Sequence, residues 1–406
     1  MLNKIKSLFG TLRSTPNTIV SSVPREIEIK KNESIDVVTQ FSLDELRSIL
    51  SRASSGEIGL LWNYYNKMQS IDPFYGGLIL HLRSAISQQP IRRVYVKGID
   101  EEIESYLQNR FDTLKVRHII HFLIDAHING AVLLKLDWDD RGLYRVEKVP
   151  NAAIMMITDS THPKYGELAV KLEDGSFLPV SELPYFDYLF LESEYGRYRY
   201  HQIGAARRCL PWFATKQIVH RDWIDFVQAY GHPIRIGVVP SFASDIVKSS
   251  ILNAVKNLYP NSWAIIPPEA DIQFKEPNKT GTVSVYKDLI DYVHQQYAVA
   301  LIGTADIIGT NREGSFARLK ISNSIRYEFI RNLAALVEEG LTEIVTRICL
   351  RRFPERRNIP HIKLRVLPPT DQLDLARTIE ILVRSGYNIP QSYVEEIFNI
   401  PTSDDR

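Results

Sequence analysis

Residues 283–352 read VSVYKDLIDYVHQQYAVALI, then GTADIIGTNREGS, then FARLKISNSIRYEFIRNLAALVEEGLTEIVTRICLRR. This is a helical pattern, a polar glycine-bearing loop and a second, longer helical pattern. In the first segment Tyr286, Leu289, Ile290, Val293, Tyr297 and Leu301 recur at three-to-four spacing, which predicts an amphipathic helix over about 283–302. In the last, Ile325, Phe329, Leu333, Leu336, Leu341, Ile344 and Ile348 predict the buried stripe of a helix over 316–352. At ~1.5 Å per residue that helix is about 55 Å long. Gly340 lies in its interior and is a candidate bend. The loop Gly303–Ser315 invites comparison with a phosphate cradle, but it lacks Gly-Lys-Ser/Thr and stands between two helices instead of after a strand. It reads as a hinge, in which Gly303, Gly309 and Gly314 permit unusual dihedrals.

Upstream, Pro211 is expected to start a helix running to Tyr230, with Trp212, Val219, Trp223, Phe226 and Tyr230 on one face. Gly231-His232-Pro233 ends it. A small insert follows, read as strand 234–239, helix 244–258 and strand 263–266, with a little more strand at 272–275. Two long helices thus bracket an αβ insert.

The first half reads as α+β. Asp72-Pro73 opens a helix over 74–88, because Asp caps well and Pro fits the first helical position. Helices are also expected near 58–70, 101–111 and 117–128, the last stopped by Asn129-Gly130. Strands are expected at 91–96, 131–138, 144–149, 153–158, 168–172 and 188–192, separated by turns such as Asp174-Gly175. After the long helix come a strand at 362–366 and helices at 373–385 and 391–398. Residues 1–40 read as a polar arm.

The chain has 406 residues and a formal net charge of +1. Tight, static wrapping of nucleic acid draws on many Lys and Arg contacts to phosphates, so this balance argues against it; passage of DNA nearby remains compatible. Two cysteines, Cys209 and Cys349, make no disulfide framework and fit buried thiols in a reducing compartment. No apolar run reaches the ~20 residues of a membrane span.

Catalytic chemistry finds no anchor. His118 and His121 form H-x-x-H, with His127 beyond, but neither a neighbouring Glu nor clustered cysteines complete a metal set. Asp137, Asp139, Asp140 and Asp225 have the chemistry of a two-metal nuclease site but the spacing of turn and helix positions. There is no G-x-S-x-G elbow. No metal and no cofactor is expected. Long amphipathic helices that one subunit covers poorly are covered well by copies of itself, and head-to-tail contacts close into a ring when the rotation permits.

Several stretches, in this order, resemble the portal proteins of tailed phages, specifically the Mu-type family. They are DPFYGGLILHLRSAISQQPIRRVYV (72–96), the block 117–138, WFATKQIVHRDWIDFVQAYGHPIRIG (212–237), WAIIPPEADIQF (263–274), GTNREGSFARLKISNSIRYEF (309–329) and SGYNIPQSYVEEIFNIP (385–401). The likeness covers roughly 58–401 and is loose over 153–192. It implies an α+β portal fold: an arm at 1–40, an α/β wing at 41–210, stem helices at 211–230 and 283–302, a small αβ clip at 231–282, a tunnel loop at 303–315, a long wing helix at 316–352, and a wing strand with a reduced C-terminal crown at 353–406.

The resemblance further implies a non-enzymatic homo-oligomer, a twelve-subunit ring at one vertex of the virion capsid, assembled in the host cytoplasm. Double-stranded DNA would pass through it during packaging and ejection. The expected partners are the terminase large subunit, a head-completion or adaptor protein, and the major capsid and scaffold proteins, with no membrane. Thr310, Asn311, Arg312 and Ser315, with Arg318 and Lys320 behind them, would offer polar contacts to passing DNA, or Arg312 is a solvated loop residue. Trp212, Trp223, Phe226, Tyr286 and Tyr297 are candidate stem and subunit-contact residues; the first three equally fit packing within the subunit. Arg221 beside Asp222 makes an ion pair between subunits or is exposed. The other readings are a different head–tail connector or minor capsid protein, and a metal-dependent DNA-processing enzyme.

Overall fold

The computed structural model describes residues 42–172, 175–238 except 231–234, positions 242, 244–246 and 249, and residues 263–266, 279–305, 316–366 and 372–398. The arm expected at 1–40, the insert strand expected at 272–275 and most of the insert helix expected at 244–258 lie outside them.

Three helices open the fold: α1 (Leu43–Ser54), α2 (Ile58–Ile71) and α3 (Pro73–Ser87). Asp72 ends α2 and starts α3, its carboxylate accepting from the N–H groups of Phe74 and Tyr75 at 3.0 and 3.2 Å. That satisfies two of the donors a helix start leaves without partners. Strand β1 (Ile91–Val94) leads to α4 (Glu101–Thr113) and α5 (Val116–Asn129). Gly130 closes α5 in the left-handed region, at φ 97°, as the Asn-Gly stop requires.

Strands β2 (Ala131–Asp139), β3 (Gly142–Lys148) and β7 (Tyr188–Glu192) form one antiparallel sheet in the order β3-β2-β7; β4 (Ile154–Met156), β5 (Leu168–Lys171) and β6 (Phe177–Pro179) form another. Next come α6 (Ala205–Tyr230), β8 (Arg235–Val238), β9 (Trp263–Ile266), α7 (Lys279–Ile302) and α8 (Phe316–Arg352). Strand β10 (His361–Leu364) returns across the whole chain to pair antiparallel with β1, and α9 (Gln372–Arg384) and α10 (Gln391–Phe398) follow. The insert strands β8 and β9 pair in parallel, a geometry that needs a crossover connection between them.

One core runs through α2, α3, α5, β2, β7 and the buried faces of α6, α7 and α8. Both cysteines sit in it as free thiols, each pushed up to about 12 by burial, which keeps them protonated and unreactive.

Several expectations need correction. Pro211 does not start α6 but lies inside it, with the helix beginning at Ala205. Ala205, Ala206, Cys209, Leu210 and Phe213 are all buried, so the core contact continues across the proline and outweighs the lost backbone donor. The wing boundary at 210 therefore falls within a helix. At the other end, α7 starts at Lys279 instead of 283, so the last residues assigned to the insert are helical. Ile325, read as part of the buried stripe of α8, is 44% exposed; among the described residues the buried apolar stripe of that helix begins at Leu333. Gly340 is a close-approach position: a Cβ there would lie 2.5 Å from Leu123 Cδ2 and 3.2 Å from Leu191 Cδ2. The glycine lets α8 sit down on α5 and β7. A short strand at 177–179 is added to those the sequence pattern predicts.

Candidate functional site

α6 and α7 pack against each other and are tied together by aromatic rings. Trp212 meets Tyr292 edge-on with ring centroids 5.5 Å apart. Farther along, Tyr286 lies parallel to Trp223 at 6.3 Å and tilted against Phe226 at 5.9 Å. Residue numbers rise along one helix as they fall along the other, so the pair is antiparallel. Of the residues expected at subunit contacts, Trp212, Trp223, Phe226 and Tyr286 are thus brought together inside one chain.

Tyr297 is a correction. It is fully buried and cannot reach a neighbour. Its hydroxyl donates to Asp72 Oδ2 at 3.2 Å, and its ring lies edge-on to Tyr75 at 5.5 Å. The Lys216 ammonium, from α6, sits 2.9 Å from both oxygens of the same carboxylate. Asp72 therefore caps α3 while holding one residue from each long helix, with side-chain exposures of 0% for Asp72 and 5% for Lys216. Burial, then the Asp72 charge, keeps the Tyr297 phenol protonated far above its ordinary range. His294 stacks on Phe74 at 4.0 Å, and burial followed by the Lys216 charge lowers its pKa. The result is a rigid footing: the helix pair is fixed to the core at one end by a buried, hydrogen-bonded ion pair.

On its other side the pair turns apolar residues outward. Ile224 and Val227 on α6, and Val285 and Val299 on α7, are each at least half exposed. Ile321 and Ile325 add to this at the start of α8. Exposed apolar side chains gathered on a helix pair are candidates for a contact surface. Sequence periodicity fails to single these residues out, because each helix is wetted on one side and packed on the other.

The loop joining α7 to α8 begins with Gly303 at φ 80°, a left-handed position that a side chain adopts only with strain. Thr310, Asn311, Arg312 and Ser315, expected to face DNA, lie outside the described residues, as do the side chains of Arg318 and Lys320, whose backbones belong to α8. Arg221 and Asp222 are both exposed, 3.8 Å apart in the same chain.

The chemistry weighed from sequence is placed as follows. The His118 and His121 rings stack with centroids 6.5 Å apart. His127 packs edge-on against Phe329 at 5.4 Å, and burial lowers its pKa to about 4. Asp139 accepts from the Arg141 N–H at 2.8 Å, a turn contact, and Asp137 pairs with Lys135 at 3.5 Å. Among the described residues, no group of three or more His, Cys, Asp and Glu side chains is arranged to hold a metal ion, and no helix is long and apolar enough to cross a membrane.

Comparison with known proteins adds to this geometry. Residues 62–400 match the family described as the portal protein of Mu bacteriophage. Two relatives are similar at 23% identity: the Mu-like prophage FluMu protein gp29 of Haemophilus influenzae, over 284 residues, and the portal protein of Escherichia phage Mu, over 283. Each alignment takes in 68% of this chain and 54% of the relative, so the chain spans about half the length of the curated relatives it matches. Among solved structures, a chain from the neck of an empty gene transfer agent particle, computed with C6 symmetry, superposes with a TM-score of 0.48 at 10% identity, covering 82% of this chain and 91% of that one. The HK97-family phage portal protein of Corynebacterium diphtheriae superposes with a TM-score of 0.37 at 12% identity, covering 74% and 93%.

Proposed function

Because this chain belongs to the family of Mu bacteriophage portal proteins, we propose that copies of it form a ring at one vertex of a virion head, through which double-stranded DNA enters during packaging and leaves during ejection. The observation that carries this reading is the α6–α7 pair: rigidly footed on Asp72 and Lys216, zipped internally by aromatics, and apolar on the outside. An internally satisfied helix pair with an uncovered apolar face needs an external partner. A second copy meets that need identically for every subunit, and repeating head-to-tail contacts close into a ring.

In this reading α6 and α7 are the stem, the insert between them is the clip, and the loop between α7 and α8 borders the channel. The fold up to α5 and the β-sheets is the wing, with α8 running through it, and α9–α10 begin a reduced crown. The ring has twelve subunits. The clip meets the terminase large subunit during packaging and a head-completion or adaptor protein afterwards, and the wing meets major capsid and scaffold proteins. The work is positional and calls for no catalytic residue.

Negative-stain microscopy of the purified protein tests the reading. Rings of about a dozen subunits with a central channel are the expected outcome. A monodisperse monomer at all concentrations, including in the presence of scaffold protein, would overturn it.

A further inference from the structure

Strands β7 and β10 both lie at the margin of their sheets, and a groove of about 640 Å³ runs between them, lined also by α8. The two strand edges are treated differently. On β10, the N–H groups of Ile362 and Leu364 point away from β1 and are capped by α8: Ile362 donates to Thr342 Oγ1 at 3.0 Å and Leu364 to Glu338 Oε1 at 2.8 Å.

On β7, Ser193 donates to the Gly130 carbonyl, and Leu136 donates to that of Asp187. With the β2–β7 register, this fixes Leu189 and Leu191 as the residues bonded to β2. The backbone groups of Tyr188, Phe190 and Glu192 therefore point outward, along the groove. Arg347 takes the Tyr188 carbonyl at 2.5 Å. Among the described residues no side chain reaches the backbone of Phe190 or Glu192. The fold has closed one edge and left the facing one able to accept a strand. On α8 the groove is lined by the small, exposed Ala335 and by Thr342, which leave room for side chains from an added strand.

We propose that this groove is a strand-addition site filled by residues 25–31 of this same protein, paired with the outer edge of β7. That segment reads REIEIKK. Ile27 and Ile29 alternate with Glu26, Glu28 and Lys30, the period of a strand with one face buried. The ten residues from 32 to 41 join it to the first described residue, Ser42, and span up to about 35 Å when extended. Its Lys30 complements Glu339 on the α8 rim, where Lys363 is already held by Glu338 at 2.7 Å. Main-chain bonds to the open edge would supply affinity and the two isoleucines the register. The pairing would also shield an edge that otherwise invites uncontrolled association.

Hydrogen exchange on the full chain and on its Ile29→Pro variant tests this. Proline removes a ladder donor from the added strand. Exchange over residues 187–193 should be at least tenfold faster in Ile29→Pro, while β10 stays unchanged and a synthetic peptide of residues 22–34 restores protection. Equal exchange over β7 in the two chains would overturn the proposal. Glu192→Cys, combined in turn with Glu26→Cys, Glu28→Cys and Lys30→Cys, identifies the donor. A fast-migrating monomer under non-reducing conditions means the segment folds back on its own subunit. Covalent multimers mean it crosses to a neighbour. Failure of all three pairs to cross-link would again count against the added strand.

Discussion

Lys216 holds its ammonium 2.9 Å from both carboxylate oxygens of Asp72, a residue 144 positions earlier, with both groups buried. Removing two charges from water is costly, and their attraction offsets that cost only when the remaining lone pairs are satisfied. Here they are: the same carboxylate accepts from Phe74, Tyr75 and Tyr297. Breaking one partner alone should therefore cost about 3–5 kcal/mol, because the other is left charged and buried. Lys216→Met and Asp72→Asn should each lower stability strongly in urea unfolding, and the double variant should recover much of the loss. Tyr297→Phe should cost only about 1 kcal/mol. A double variant as unstable as the sum of the two would show that the residues do not act as a pair.

The second prediction concerns Gly340. A methyl group there meets Leu123 Cδ2 at 2.5 Å. Alanine raises helix propensity by about 1 kcal/mol, yet overpacking a closed core costs about 1–3 kcal/mol. Gly340→Ala should lower the melting temperature despite the better helix former. In a cycle with Leu123→Ala the two changes should show favourable coupling of about 1 kcal/mol.

A pH dependence follows from His127. Burial, and then the Arg208 charge, lowers its pKa from 6.5 to about 4 in the folded chain. Above pH 6.5 the residue is neutral in both states and contributes no slope. As pH falls below 6.5 the unfolded chain binds a proton that the folded chain resists, so stability falls until the folded group titrates near 4. The loss should reach roughly 2 kcal/mol by pH 5. His127→Leu should flatten the dependence between pH 7 and pH 5 by about that amount, read from urea midpoints at the two pH values. An unchanged slope would place the titration elsewhere.

These three positions show what the sequence could reveal. Periodicity exposed the long helices, because 3.6-residue repeats of large apolar groups are local. It placed Phe316–Arg352 at the observed bounds and missed the start of α6, where apolar residues on both sides of Pro211 continue the helix against the usual meaning of proline. Asp72 was legible as a helix cap, but not as the partner of Lys216 and Tyr297, since contacts across such separations leave no local pattern. Tyr297 looked like Tyr286 on a helical stripe; only tertiary packing makes one a buried donor and the other a ring between helices. Gly340 carried a real signal, a glycine inside a helix, whose cause lay on α5 and β7.

The fourth prediction concerns assembly. Val227 and Val299 are half exposed on the α6–α7 pair. Placing Glu at both should change subunit stability little, since exposed substitutions usually stay within about 0.5 kcal/mol. In a ring, each interface would gain buried or apposed carboxylates. Mass photometry should then show monomers where the parent chain gives rings, with unchanged circular dichroism. Rings that form equally well would move the subunit contact to another face.

The last prediction rests on Arg312. The family's ring geometry would place the loop between α7 and α8 beside the passing DNA, and Gly303, at φ 80°, starts that loop with a sharp departure from α7. A channel must touch phosphates without gripping them: each added cation strengthens binding and steepens its salt dependence, and a dense basic ring would slow sliding. In the proposed ring, one arginine per subunit would supply weak, repeated contact. Arg312→Ala should leave rings intact by negative stain while altering the length of DNA packaged or its retention in filled heads. The change should shrink as salt is raised, because screening already weakens the contact being removed. Loss of ring assembly in Arg312→Ala would make the residue structural, and normal packaging with normal retention at low salt would remove it from the channel wall.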